Sequence, residues 1–135
     1  MRIENTPPPN YEEIAAVFPA VADSQSAVFT YGETIHNPHG VNIRPDLELH
    51  ESVHTEQQKG KPKEWWDRFL SDPEFRLSQE LEAFAKQYQY ARTILSSARA
   101  KIVLHYLALD LSSAEYGNLV SYQRAESLIR SYAVV

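Results

Sequence analysis

Leu49-His50-Glu51-Ser52-Val53-His54-Thr55-Glu56-Gln57 carries two histidines four residues apart, with a glutamate directly after the first. On a helix, residues four apart lie on one face a turn from each other, so both imidazoles can reach one metal ion. Glu51 sits about 100° round the helix from His50, where it meets a water on that ion rather than the ion itself. Zinc lowers the pKa of such a water, and the adjacent carboxylate takes its proton. The pattern arises by chance in about one to two of a hundred chains of this composition. The null alternative is a helix with polar residues on a solvated face. Against it, Leu47, His50 and His54 fall at i, i+3 and i+7, the spacing of a buried face, with Leu49 and Val53 beside them. Histidines placed there need partners, and a metal supplies one.

The flanking sequence reads as helices on one side and a thin sheet on the other. Asp46 is the expected cap of the metal-bearing helix, which runs to about Gln58 and is closed by Gly60 and Pro62. A short amphipathic helix follows over Glu64 to Leu70. Asp72-Pro73 opens a long helix to roughly Tyr90, with Asp at the cap and Pro at the first helical position. Another helix fits Leu95 to Leu109, Ser112 to Leu119 is a loop, and Ser121 caps a last helix to about Tyr132. Upstream, residues 1–10 form an extended arm stiffened by Pro7-Pro8-Pro9. Asn10 caps a helix over Tyr11 to Phe18, which Pro19 ends. Ala27 to Ile35 reads as a strand, Asn37-Pro38-His39-Gly40 as a turn, and Val41 to Ile43 as the returning strand. The expected fold is a helix-dominated α+β single domain over residues 1–135, with a small early sheet.

A zinc site needs a third protein ligand. On the long helix, Leu77, Leu81, Phe84 and Tyr88 form an apolar stripe, and Glu80 falls within it at i+3 from Leu77. Glu82 points about 140° away from Leu77, toward solvent. A carboxylate on an inward face is costly unless it is paired or bound to a cation. Glu80 is therefore the expected third ligand and Glu82 the runner-up. Arg76, one turn before Glu80, can pair with it in competition with a metal, or pair with Asp72 instead.

Composition removes several alternatives. Among 135 residues, 43% are hydrophobic, as in ordinary globular chains, and there is no cysteine, so disulfides, thiolate metal sites and thiol nucleophiles are excluded. Thirteen basic against 18 acidic residues give a net charge of −5, with no basic excess for binding nucleic acid by phosphate neutralisation. The N-terminus lacks a secretory pattern and no apolar run is long enough for a bilayer, so the expected setting is cytoplasmic, without a membrane. Lys59-Gly60-Lys61-Pro62-Lys63-Glu64-Trp65-Trp66 mixes cations and aromatics. A membrane-surface or single-strand stacking patch is one reading; the net charge favours one packed Trp beside a solvated lysine loop. Candidates for stabilising an oxyanion are Tyr88, Tyr90, His36, His39 and His105, and the sequence does not choose among them. His36 and His39 read as solvent-facing turn residues, His105 as a hydrogen-bonded core histidine and Tyr88 as core. The tail from Ser121 to Val135 reads as a plain terminal helix, with an inhibitory segment folded over the cleft as the alternative.

His50-Glu51-x-x-His54 followed by a helical Glu80-x-Glu82-Ala83 resembles the gluzincin metallopeptidases, in which a Glu on the next long helix completes the zinc triad. Glu80-Leu81-Glu82-Ala83-Phe84 is similar to a second motif of the Glu-Phe-x-Ala-Asp type, whose first Glu is the ligand. Phe84 departs from it, standing where such motifs carry an acid. The chain looks most like the minimal, single-domain gluzincins, and the resemblance spans roughly Ala27 to Tyr90. It implies a zincin-like fold and Zn2+ held by His50, His54 and Glu80. It also implies Glu51 as general base and then acid in hydrolysis of a peptide or protein substrate, by an endopeptidase rather than an exopeptidase. In that comparison, residues around His39 to Ile43 are the sheet edge that aligns an extended peptide. The competing readings are a catalytically silent zincin-like binding module and a helical adaptor in which the motif is accidental.

Overall fold

Gly32 and Glu33 make a two-residue turn with Gly32 at φ 64°, the glycine-first arrangement that suits the twist of a tight hairpin. In the computed structural model, which describes residues 1–133, this turn joins β2 (Phe29–Tyr31) to β3 (Thr34–His36) in antiparallel register, Thr30 opposite Ile35. β1 (Arg2–Glu4) adds on the other side of β3, parallel to it, with Ile3 opposite Ile35. Two expectations are corrected here. The stretch from Ala27 to Ile35 folds on itself at Gly32 instead of forming one strand. Val41 to Ile43 is not a strand, because the Asn37 side chain takes the Val41 backbone: Nδ2 donates to the Val41 carbonyl at 2.9 Å and Oδ1 accepts from its N–H at 3.0 Å. The N-terminal arm is likewise paired over its first residues, and three residues are too few to show an alternating pattern.

Two short helices, α1 (Tyr11–Val17) and α2 (Pro19–Asp23), lie between β1 and β2. Pro19 ends the first and occupies the first turn of the second, where its missing N–H is harmless. α3 (Pro45–Gln58) starts two residues earlier than expected. Pro45 is at its first position and Arg44 at the cap, which leaves the Asp46 carboxylate free for other work. α4 (Pro62–Ser71) buries both Trp65 and Trp66, not one. Trp65 Nε1 donates to Gln79 Oε1 at 2.7 Å and Trp66 Nε1 to the Thr30 carbonyl at 2.9 Å. The three lysines before them stay exposed.

Asp72 caps α5 (Pro73–Ile94) as expected, its Oδ1 accepting from the Phe75 N–H at 3.1 Å. That helix runs a turn past Tyr90, until Ser96 Oγ caps α6 (Ser97–Leu111). A 3-10 turn (Ala114–Tyr116) lies within the expected loop, and Ser121 Oγ caps α7 (Tyr122–Ala133). α7 buries Ala125 and Ile129 against α5 and α6, which is the plain terminal helix. Val134 and Val135 lie outside the described residues.

The result is a helix-dominated α+β fold with two apolar clusters. One joins α5, α6 and α7 through Phe84, Tyr88, Leu104, Leu107, Leu111 and Ile129. The other joins α1, α2, β2 and α4 through Ile14, Phe18, Val21, Phe29, Trp66 and Phe69. Tyr116 packs against both, and α3 lies along α5 beside the sheet. Among the described residues, no helix is long and apolar enough to cross a membrane.

Candidate metal centre

His50 and His54 project from one face of α3, and Glu80 meets them from α5. The four-residue histidine spacing and the inward face of α5 together produce this convergence. His50 Nε2 lies 3.2 Å from Glu80 Oε1, and His54 Nε2 lies 3.1 Å from Glu80 Oε2. All three side chains are buried, and their ligand atoms fall within 4.8 Å of one another. Ligands on a tetrahedral zinc ion stand about 3.3 Å apart at ordinary zinc–nitrogen and zinc–oxygen distances. Glu80 Oε1 is buried without a hydrogen-bond partner, a costly arrangement that a cation relieves. The donor set of two imidazoles and one carboxylate fits a divalent transition metal, and the group can hold one. Among the described residues, no other His/Asp/Glu group brings three such atoms together.

Each imidazole is held from behind by a glutamine. His50 Nδ1 is 3.0 Å from Gln87 Oε1, and His54 Nδ1 is 2.8 Å from Gln57 Oε1. Phe84, where the resembled motif carries an acid, packs edge-on to the His50 ring with centroids 4.5 Å apart. The polar support for that histidine comes instead from Gln87, almost one turn further along α5. Glu82 does not reach the triad. Its Oε1 accepts from Gln57 Nε2 at 2.8 Å, and Oε2 lies 3.7 Å from Lys86 Nζ, so it is half-buried rather than turned fully to solvent.

Glu51 is buried beside the triad. Thr30 Oγ1 donates to its Oε1 at 2.8 Å, which leaves Oε2, 3.8 Å from His50 Nε2, facing the ligand cluster. The four residues line a cleft of about 900 Å³ whose walls are mainly apolar, with Val28 and Phe29 on the sheet side and Ile94 and Tyr106 at the mouth. Asp110 and Glu115 also line it. Burial, reinforced by Glu115, pushes the Asp110 carboxyl up to about 6, against an opposing pull from His50.

Tyr116 also lines this cleft, and it escaped the sequence reading because it sits in what looked like an irregular loop. Burial raises its hydroxyl pKa, and the nearby Glu80, Asp110 and Glu51 carboxylates raise it further. The phenol therefore stays a hydrogen-bond donor. Its backbone is fixed by Arg76, which pairs with neither Glu80 nor Asp72. Arg76 Nε donates to the Tyr116 carbonyl at 2.9 Å and Nη1 to the Phe69 carbonyl at 2.7 Å. Asp72 lies beside Arg68 instead.

Of the earlier oxyanion candidates, only Tyr90 lines the cleft. Tyr88 is core, as expected. His39 is exposed, also as expected. His36 is buried, with Nδ1 3.2 Å from the Thr6 carbonyl, because Glu4 and its neighbours cover that side of β3. His105 is exposed and bonded to the Tyr122 hydroxyl at 2.7 Å, on the far face of α6.

Without metal, the ligands hold each other. Burial alone would lower the His54 pKa, but the charge and hydrogen bond of Glu80 outweigh it and lift it to about 9. Burial likewise works against ionised Glu80, and the two imidazoles overcome it, holding the carboxyl near 2. The stabilising contribution of His54 is thus complete below its ordinary value near 6.5 and disappears as pH rises through about 9. That of Glu80 is complete above about 4.5 and disappears as pH falls through about 2. The melting temperature of the metal-free protein is accordingly expected to decline from near pH 6.5 toward pH 9. A His54→Gln variant should lack that decline. Thermal melts across this range check it, and a flat wild-type profile contradicts it.

No family model matches this chain, and neither the curated proteins nor the solved structures contain a significant match to it.

Proposed function

We propose that this protein is a zinc-dependent peptidase in which His50, His54 and Glu80 hold the ion. The observation that carries the reading is Glu51, a buried carboxylate with one oxygen held by Thr30 and the other turned toward the ligand cluster inside an open cleft. A zinc ion at such a centre acidifies water and polarises a carbonyl oxygen. Glu51 Oε2 takes a proton from the attacking water as its oxygen bonds to the peptide carbonyl carbon. The same carboxyl then gives that proton to the departing amine nitrogen as the C–N bond breaks. Tyr116, whose hydroxyl remains protonated, donates a hydrogen bond to the carbonyl oxygen as charge develops there.

An extended peptide fits along residues 26–28, just upstream of β2, which line the cleft. Val41 and Asn42, from the stretch expected to align the peptide, line the same cleft without forming a strand. Further along β2, the Thr30 carbonyl is already taken by Gln58 Nε2 at 2.9 Å and by Trp66 Nε1. The apolar walls favour hydrophobic side chains in the substrate.

The test is cleavage of a mixed peptide library by the purified protein, with mass-spectrometric readout. Cleavage should vanish with a chelator and return with added zinc. A zinc-loaded protein that cleaves nothing in the library contradicts the peptidase reading.

A further inference from the structure

Both imidazoles are backed by the same sequence of groups: ring nitrogen, glutamine amide, carboxylate, cation. From His50 the order is Gln87, Asp46 and Arg44: Gln87 Nε2 donates to Asp46 Oδ2 at 2.9 Å, and Asp46 Oδ1 is 3.1 Å from Arg44 Nε. From His54 it is Gln57, Glu82 and Lys86. The two paths cross between α3 and α5. The first leaves α3 at His50, touches α5 at Gln87 and returns to α3 at Asp46. The second leaves α3 only at its carboxylate, Glu82.

An amide has two ends, and only one of them suits a metal-binding histidine. If its oxygen faces Nδ1, that nitrogen carries the proton and Nε2 keeps its lone pair for the ion. If its NH2 group faces Nδ1, the neutral ring must place its proton on Nε2 and cannot bind the ion there. A carboxylate accepts but never donates when ionised, so a carboxylate at the far end of the amide settles which end faces the ring.

We propose that Asp46 is a positioning residue for the metal, acting through the orientation of the Gln87 amide on His50. The assignment rests on the metal-site reading above. Glu82 has the corresponding place on the other path, but there the orientation is held twice, because Gln57 Nε2 also donates to the Gln79 carbonyl at 2.9 Å. Among the described residues, Asp46 is the only acceptor for Gln87 Nε2. The two carboxylates look equivalent in sequence, yet only one of them is decisive.

The experiment measures zinc affinity by chelator competition for the wild type, Asp46→Asn, Glu82→Gln and the double variant Asp46→Asn/Gln87→Glu. Loss of a group supporting a metal-bound histidine costs about 10–100-fold in affinity, and that loss is expected for Asp46→Asn. Glu82→Gln should lose less than about fivefold, the scale of a half-exposed polar contact. The double variant should recover affinity, since a carboxylate at position 87 has no wrong end. A merely structural role for Asp46 gives no such rescue. In parallel, the 15N shift of His50 Nδ1 in metal-free protein should report a protonated nitrogen in the wild type and its loss in Asp46→Asn. Wild-type affinity in Asp46→Asn, or a double variant no better than the single one, overturns the proposal. If the wild type takes up no zinc at all, the metal reading fails, and the ring-nitrogen shifts alone decide the relay.

Discussion

Glu51→Gln should keep its metal and lose its peptide cleavage. Gln presents the same carbonyl oxygen to Thr30 Oγ1, which now donates to Glu51 Oε1 at 2.8 Å, so the side chain stays in place. What disappears, on the proposed mechanism, is the group that accepts the proton from water and delivers it to the amine. General acid–base groups contribute about 10²–10⁴-fold to rate, and the fall in kcat should lie in that range with zinc content unchanged. Wild type and variant, both verified as zinc-loaded, are compared on one fluorogenic peptide. Equal rates contradict the role of Glu51 and turn the cleft into a binding surface rather than a catalytic one.

Glu80→Gln should lose the metal itself. Among the described residues, Glu80 is the only acid whose oxygens approach both imidazoles, at 3.2 and 3.1 Å. An amide offers a single neutral oxygen where the ion requires a charged ligand, so affinity should fall by more than the about 100-fold that loss of an outer supporting group can cost. Removing that charge also takes away the influence that holds the His54 pKa above its ordinary value, so burial should return it downward. Glu82→Gln is the matched comparison, because its carboxylate ends on Gln57 and Lys86 and not on the triad. Elemental analysis of the two variants after identical purification separates them. Equal metal content would remove Glu80 from the ligand set.

The triad was legible because each of its constraints is local. His50 and His54 share a helix face by spacing alone, and Glu80 stands out as an acid within an apolar stripe. Helix starts at Asp72, Ser96 and Ser121 follow local capping chemistry, although Ser96 lies inside what reads as a continuous run from Leu95. The sheet was misread because its signals are tertiary. A three-residue β1 carries no periodicity, and the Asn37 side chain removes the Val41 backbone from pairing in a way that turn residues do not announce. Gln57 and Gln87 could have been found by geometry, at i+3 from His54 and i+7 from Glu80. Glutamine in a helix is ordinarily a surface residue, however, and only burial against the imidazoles singles these two out. Tyr116 and Arg76 meet across 40 residues through a backbone carbonyl, a contact that no side-chain pattern encodes.

The central claim is that two imidazoles of α3 and one carboxylate of α5 bind a single ion, and the most direct measurement is zinc stoichiometry with its thermal consequence. Protein purified without chelator should carry one zinc ion per chain. Saturating zinc at about a hundredfold over its Kd should raise the melting temperature on the order of 10 °C, reversibly on chelation. Protein that carries no metal, and whose melting temperature responds to neither zinc nor chelator, would contradict the account.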